Sequence, residues 1–163
     1  MSRTADKNAN NLYLQSRDRA GITNRLDAAW MLRISDRTLA RWEALETVPP
    51  AEKVMAMEEK YGDRKLAARH CSEVCLIGRR RANKVEDKSL EAAVLGLIKE
   101  YNDVKFIRDK LIEIAANGVI DETEREDFDG IMAELADLEQ KIYTLKLWAA
   151  AAGIRDKKKT AAM

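Results

Sequence analysis

From Asn10 to Gly62 the apolar positions recur at helical spacing in short segments only a few residues apart, the pattern of a compact bundle of short helices. Asn11 to Ala20 predicts a first helix that stops at Gly21, because glycine takes the left-handed conformation of a helix end without a Cβ penalty. Thr23 or Asn24 can cap a second helix reaching about Leu32, in which Leu26, Ala29 and Trp30 are spaced as one buried face. After the connection Arg33-Ile34, Ser35 is a good N-cap for a third helix through about Leu45, with Asp36 in its electropositive first turn. Leu39 and Trp42 then point inward, and Arg37, Thr38 and Arg41 are left on the outer face.

From Ser89 to Gly153 the apolar periods lengthen and contain no proline. One heptad series runs through Leu90, Leu97, Val104 and Leu111 with Ala93, Ile107 and Ile114, broken in register at Glu100. A second runs through Phe128, Leu135, Ile142 and Ala149 beside Ile131, Leu138 and Leu145. Asn117-Gly118 predicts a left-handed stop between them, and Asp121 with Glu124 a capping box for the second helix. The simplest product is an antiparallel hairpin. Its further apolar residues, Val94, Tyr101, Phe106, Leu147 and Trp148, predict a surface that needs a cover. Self-association of residues 89–154 into a four-helix homodimer is the economical cover, and folding back onto the N-terminal bundle as a monomer is the competing one.

Composition agrees with an all-α chain: 7 Gly and 2 adjacent Pro among 163 residues leave little material for the turns of a sandwich or a Rossmann sheet. No window of about 18 uncharged apolar residues exists and the N-terminus lacks a secretory stretch, so a cytoplasmic protein with reduced Cys71 and Cys75 is expected. The net charge of +1 hides a polarity. Residues 1–64 carry 11 basic and 10 acidic side chains, 65–88 carry 7 and 3, 89–154 carry 7 and 14, and 155–163 carry 4 and 1. An acidic 89–154 repels a polyanion, so nucleic acid must meet the first 88 residues. These boundaries also suggest the domains: a bundle over 1–64, a basic helical linker over 65–88 with Arg79, Arg80, Arg81 and Lys84, the hairpin, and a frayed basic tail.

Metal and catalytic chemistry have little support. His70, Cys71 and Cys75 invite a zinc reading, but adjacent helical residues point about 100° apart and only two of the three can share a face. Glu113 to Glu124 overlays weakly on a calcium loop whose third position, Ala115, cannot ligate. One histidine, no nucleophile elbow and no phosphate-cradling glycine loop leave no reaction to name, so neither an enzyme nor a cofactor is expected. Met55 and Met57 sit at core-like helical positions.

Two short helices joined by a three- or four-residue turn, the second showing arginines outward, follow the logic of a helix-turn-helix. The residues that carry this logic are Arg17-Asp18-Arg19-Ala20-Gly21-Ile22-Thr23, Ala28-Ala29, Ile34-Ser35, Arg37-Thr38-Leu39, Arg41-Trp42-Glu43, Pro49-Pro50 and Tyr61-Gly62. Over about residues 10–64 they resemble the Cro/lambda-repressor-like, xenobiotic-response-element type of DNA-binding domain. The resemblance implies a five-helix domain whose recognition helix begins at Ser35 and reads bases with Asp36, Arg37 and Arg41, with Thr38 nearby. It also implies that Asn24 and Arg25 sit against phosphate, that Glu43 is structural, and that Leu26, Ala29, Leu39 and Trp42 are core. Arg33 stands where the family commonly has a glycine, and Asp36 where it often has glutamine.

The function so implied is a sequence-specific transcriptional regulator of bacterial or phage type, a repressor binding a palindromic operator in double-stranded DNA as a dimer. The alternatives from other classes are a protein–protein adaptor or antitoxin-like protein that uses the hairpin, and a metal-sensing regulator.

Overall fold

The computed structural model describes residues 11–116 and 118–154; the expectations placed on Asn10, Asn117 and the tail at 155–163 lie outside them. All regular structure among the described residues is helical, and none of the helices is long and apolar enough to cross a membrane. The chain divides into two compact units, one ending at Val85 and one beginning at Glu86.

The first unit opens with α1 (Leu12–Arg19), α2 (Arg25–Met31), α3 (Asp36–Glu43) and α4 (Ala51–Tyr61). Each start has a chemical cause. The side chain of Asn11 accepts from the Tyr13 and Leu14 amides, Asn24 from Leu26, and Ser35 from Thr38, so each satisfies donors that a first turn leaves unpaired. Pro50, with its fixed φ, opens α4, and Gly62 closes it in the left-handed region.

The core gathers Leu12, Tyr13, Ala28, Ala29, Leu32, Leu39, Trp42, Val54, Met57, Tyr61 and Leu66. Leu39 and Trp42 point inward as expected, but Leu26 and Trp30 do not: they are 63% and 82% exposed. On the seven residues of α2 the small pair Ala28 and Ala29, followed by Leu32, takes the buried side, because a helix wedged between close neighbours is seated by its thin face. Met57 is buried, whereas Met55, half a turn away, is exposed.

Residues 65–81 differ from the linker the charge suggested. Leu66 is fully buried in the core, Ala67 and Val74 pack on it, and in α5 (Leu66–Arg69) the Ala67 amide donates to the Glu58 carboxylate on α4 at 2.8 Å. A π-helical turn (His70–Val74) follows, closed by Cys75 N donating to His70 O, and then α6 (Gly78–Arg81). A Cβ on Gly78 would overlap the carbonyl oxygen of Cys71, so only glycine permits this close approach.

The second unit is the expected hairpin of α7 (Leu90–Ala115) and α8 (Arg125–Ala151). Ser89 caps α7, Gly118 is left-handed, and Asp121 and Glu124 exchange backbone–side-chain bonds in the turn before α8. Ala93, Ile114 and Ile131 are buried on the heptad seam, but toward the end of α8 the buried positions become Thr144 and Leu147. Glu100, where the register breaks, is buried and bonded to Lys99 at 3.1 Å. Leu95, Ile98, Phe106 and Ile112 on α7 remain exposed.

The π-helical turn supplies a test of the first unit. His70 is buried, its Nδ1 shares a 2.7 Å hydrogen bond with the Tyr13 hydroxyl, and burial holds its pKa below the ordinary 6.5. The folded state therefore favours neutral imidazole, so stability is full above pH 6.5 and falls as acid protonates the unfolded chain first. Urea midpoints measured from pH 7.5 down to about pH 5 should decline more steeply for the natural chain than for His70→Gln. Equal slopes would contradict the assignment.

Candidate nucleic-acid interface

α3 is fastened to α1 by two polar side chains. The Nδ2 of Asn11 donates to the carbonyls of Trp42 and Glu43 at 2.9 and 2.8 Å, occupying acceptors that the end of α3 leaves open. Arg17 donates through Nε to Glu43 Oε1 at 2.6 Å and through Nη2 to Oε2 at 3.2 Å, while its Nη1 reaches the carbonyls of Ile22 and Thr23. Both partners are buried. Burial works against the Arg17 charge, yet the bonds and charge of Glu43 outweigh it and hold the guanidinium pKa above its ordinary value.

With its inner side pinned, α3 presents the rest of its surface outward. Arg37 and Arg41 are exposed one turn apart and Thr38 is half-buried between them, as the periodicity predicted. Arg41 lies 3.5 Å from Glu46, an exposed pair of little energetic weight, and among the described residues no ion pair engages Arg37. Ser35 spends its hydroxyl on the Thr38 amide at 3.1 Å and on the Thr38 hydroxyl at 2.7 Å. Arg25, Arg37, Ala40, Arg41 and Glu46 border one open groove of about 910 Å³, with Leu14, Arg17 and Glu43 behind.

Three of the residues expected at phosphate or base, Asn24, Arg25 and Asp36, have partners within the fold. Arg25 is not a free cation but grips Asp36, Nε to Oδ1 at 2.6 Å and Nη2 to Oδ2 at 3.0 Å. The hydrogen bond from Arg25 holds the Asp36 carboxyl below its ordinary pKa, so it stays anionic. Asn24 likewise gives its side-chain oxygen to the cap of α2. Neither the Arg17–Glu43 nor the Arg25–Asp36 pair follows from helical spacing, since the partners stand 26 and 11 residues apart. The only sequence signal was complementary charge.

The turn into α3 carries Arg33 at φ 53°, the position where the resemblance expects glycine, and the turn out of α3 carries Leu45 at φ 55°. Each left-handed non-glycine residue costs roughly 1 kcal/mol or more, and the fold retains both. A second open groove beside the first of these turns is bordered by Trp30, Met31, Arg33, Ile34, Ser35 and Lys60.

The sulfur and imidazole groups do not assemble. His70 is committed to Tyr13, Cys71 is exposed and Cys75 is half-buried. Glu100, Asp103 and Glu134 bring carboxylate oxygens within 4.8 Å of one another on the hairpin, and Lys99 bonds to the first two. Asp121, in the segment resembling a calcium loop, spends its carboxylate on the amides and hydroxyl of Thr123 and on the Glu124 amide.

Compared with known proteins, the chain matches no family model, no curated protein and no solved structure.

Removing one partner of a buried ion pair strands the other, at a cost of about 3–5 kcal/mol, whereas replacing both leaves an apolar contact. Arg17→Met and Glu43→Leu should each lower stability by that amount in chemical denaturation, and the double variant should lose clearly less than the sum. Additive losses would show that the pair is not the fastening of α3.

Proposed function

We propose that the first unit binds duplex DNA with α3 in the major groove, as the reading head of a sequence-specific transcriptional repressor of the Cro/lambda-repressor-like kind acting in the cytoplasm. One observation carries the reading: Arg37 and Arg41 stand exposed one turn apart on a helix whose other side is locked to α1. A guanidinium placed so can donate two hydrogen bonds to guanine N7 and O6, each such pair discriminating by roughly 1–3 kcal/mol. The function is one of binding, and no reaction is assigned to it.

The hairpin, with 14 acidic against 7 basic residues over 89–154, is the wrong surface for a polyanion. Its exposed Leu95, Ile98, Phe106 and Ile112 suit self-association instead. A two-fold dimer would bring two copies of α3 to half-sites about 34–36 Å apart. The same apolar residues also support a second reading, an adaptor or antitoxin-like protein that grips another protein through the hairpin. Capture of a stoichiometric partner, with no retention on DNA at ~50 mM salt, favours that reading over the first.

Titration of the full chain against the DNA segment it protects in a genomic footprint is the direct test. Arg37→Ala with Arg41→Ala should weaken specific binding at least roughly tenfold per arginine, and affinity should fall steeply with salt. Unchanged affinity in the double variant refutes the base-reading role, and a footprint lacking paired half-sites refutes the dimer.

A further inference from the structure

Asp36 poses a problem for any helix that approaches a polyanion: it is an anion on the first turn of that helix. The Arg25 guanidinium answers half of the problem by lying side-on against the carboxylate at 2.6 and 3.0 Å, which cancels the charge and fixes the direction of both oxygens. A carboxylate offers about four acceptor sites, so one bond to each oxygen leaves about two open, and none of them donates.

We infer that Asp36, oriented by Arg25, is a specificity-determining residue that selects cytosine at one base pair of each half-site. The inference rests on the DNA-binding reading and adds to it the sign of one base preference. In the major groove cytosine presents its N4 amine, a pure donor, whereas guanine presents N7 and O6 and thymine presents O4, all acceptors that repel a carboxylate. Adenine sets the acceptor N7 beside its N6 amine, which penalises a group unable to donate. Arg25 is a positioning residue in this scheme. Two of its N–H groups are spent on Asp36, and it borders the same groove as Arg37 and Arg41.

The test is selection of sites from a random duplex pool by the full-length chain and by Asp36→Asn, Asp36→Ala and Arg25→Met. The natural chain should enrich cytosine at one symmetric position by roughly tenfold. Asp36→Ala should level that position alone, and Asp36→Asn should turn it toward adenine, whose N6 and N7 match an amide. Arg25→Met should weaken the cytosine preference without moving its position. A consensus identical in the natural chain and both Asp36 variants overturns the inference while leaving DNA reading intact. Failure of the natural chain to select any consensus overturns DNA reading and this inference together.

Discussion

The buried contact between the Arg17 guanidinium and the Glu43 carboxylate is the constraint on which the N-terminal unit turns. It joins the last turn of α1 to the last residue of α3, and the remaining Arg17 nitrogen collects the two carbonyls of the loop between α1 and α2. Asn11 repeats the arrangement at the other end of α1, capping α1 with its oxygen and the end of α3 with its amide nitrogen. A charge removed from water is costly unless paired and hydrogen-bonded, so these contacts admit one rotation of α3 about its axis and penalise others. The direction of Arg37 and Arg41 follows from that rotation rather than from any contact of their own.

The strained residues are intelligible in the same frame. Arg33 and Leu45, both left-handed, stand three residues before the start and two residues past the end of α3. Their combined cost is a few kcal/mol at most, small beside the burial of Leu39 and Trp42 and the two-sided fastening to α1. The short turn at Arg33 joins α2 directly to α3, and Arg25 on α2 lies within reach of Asp36. The positions that break the preference for glycine thus border the helix on which the proposed function depends.

Much of this was legible in the sequence, and what was missed has identifiable causes. Caps at Asn24 and Ser35, the left-handed stop at Gly21, the inward Leu39 and Trp42, and the hairpin with its reciprocal bonds at Asp121 and Glu124 are local chemistry, readable within a few residues. The exposed Leu26 and Trp30 show the limit of periodicity: on a two-turn helix more than one face can be drawn through apolar residues, and neighbour distance, here favouring Ala28 and Ala29, decides between them. The Arg25–Asp36 pair lay hidden for another reason, because charge complementarity between residues on different helices depends on a turn geometry that no short pattern specifies. Over residues 65–88 the cations Arg79, Arg80, Arg81 and Lys84 dominate the composition and suggest a linker, whereas Leu66 belongs to the core and Val74 packs on it. In the hairpin, the heptad pattern alone does not account for the burial of Thr144 and Leu147.

The chain thus combines an outward-facing arginine pair on a locked helix with a separate acidic hairpin that keeps an apolar strip exposed. The division of labour proposed for the two units can be examined residue by residue by following the backbone amide resonances of the full chain as its footprinted duplex is added. The largest shifts should fall on residues 35–41 and on Arg25, with α7 and α8 unmoved by the nucleic acid. Shifts confined to the hairpin, or an α3 spectrum unchanged at saturating DNA, would contradict it.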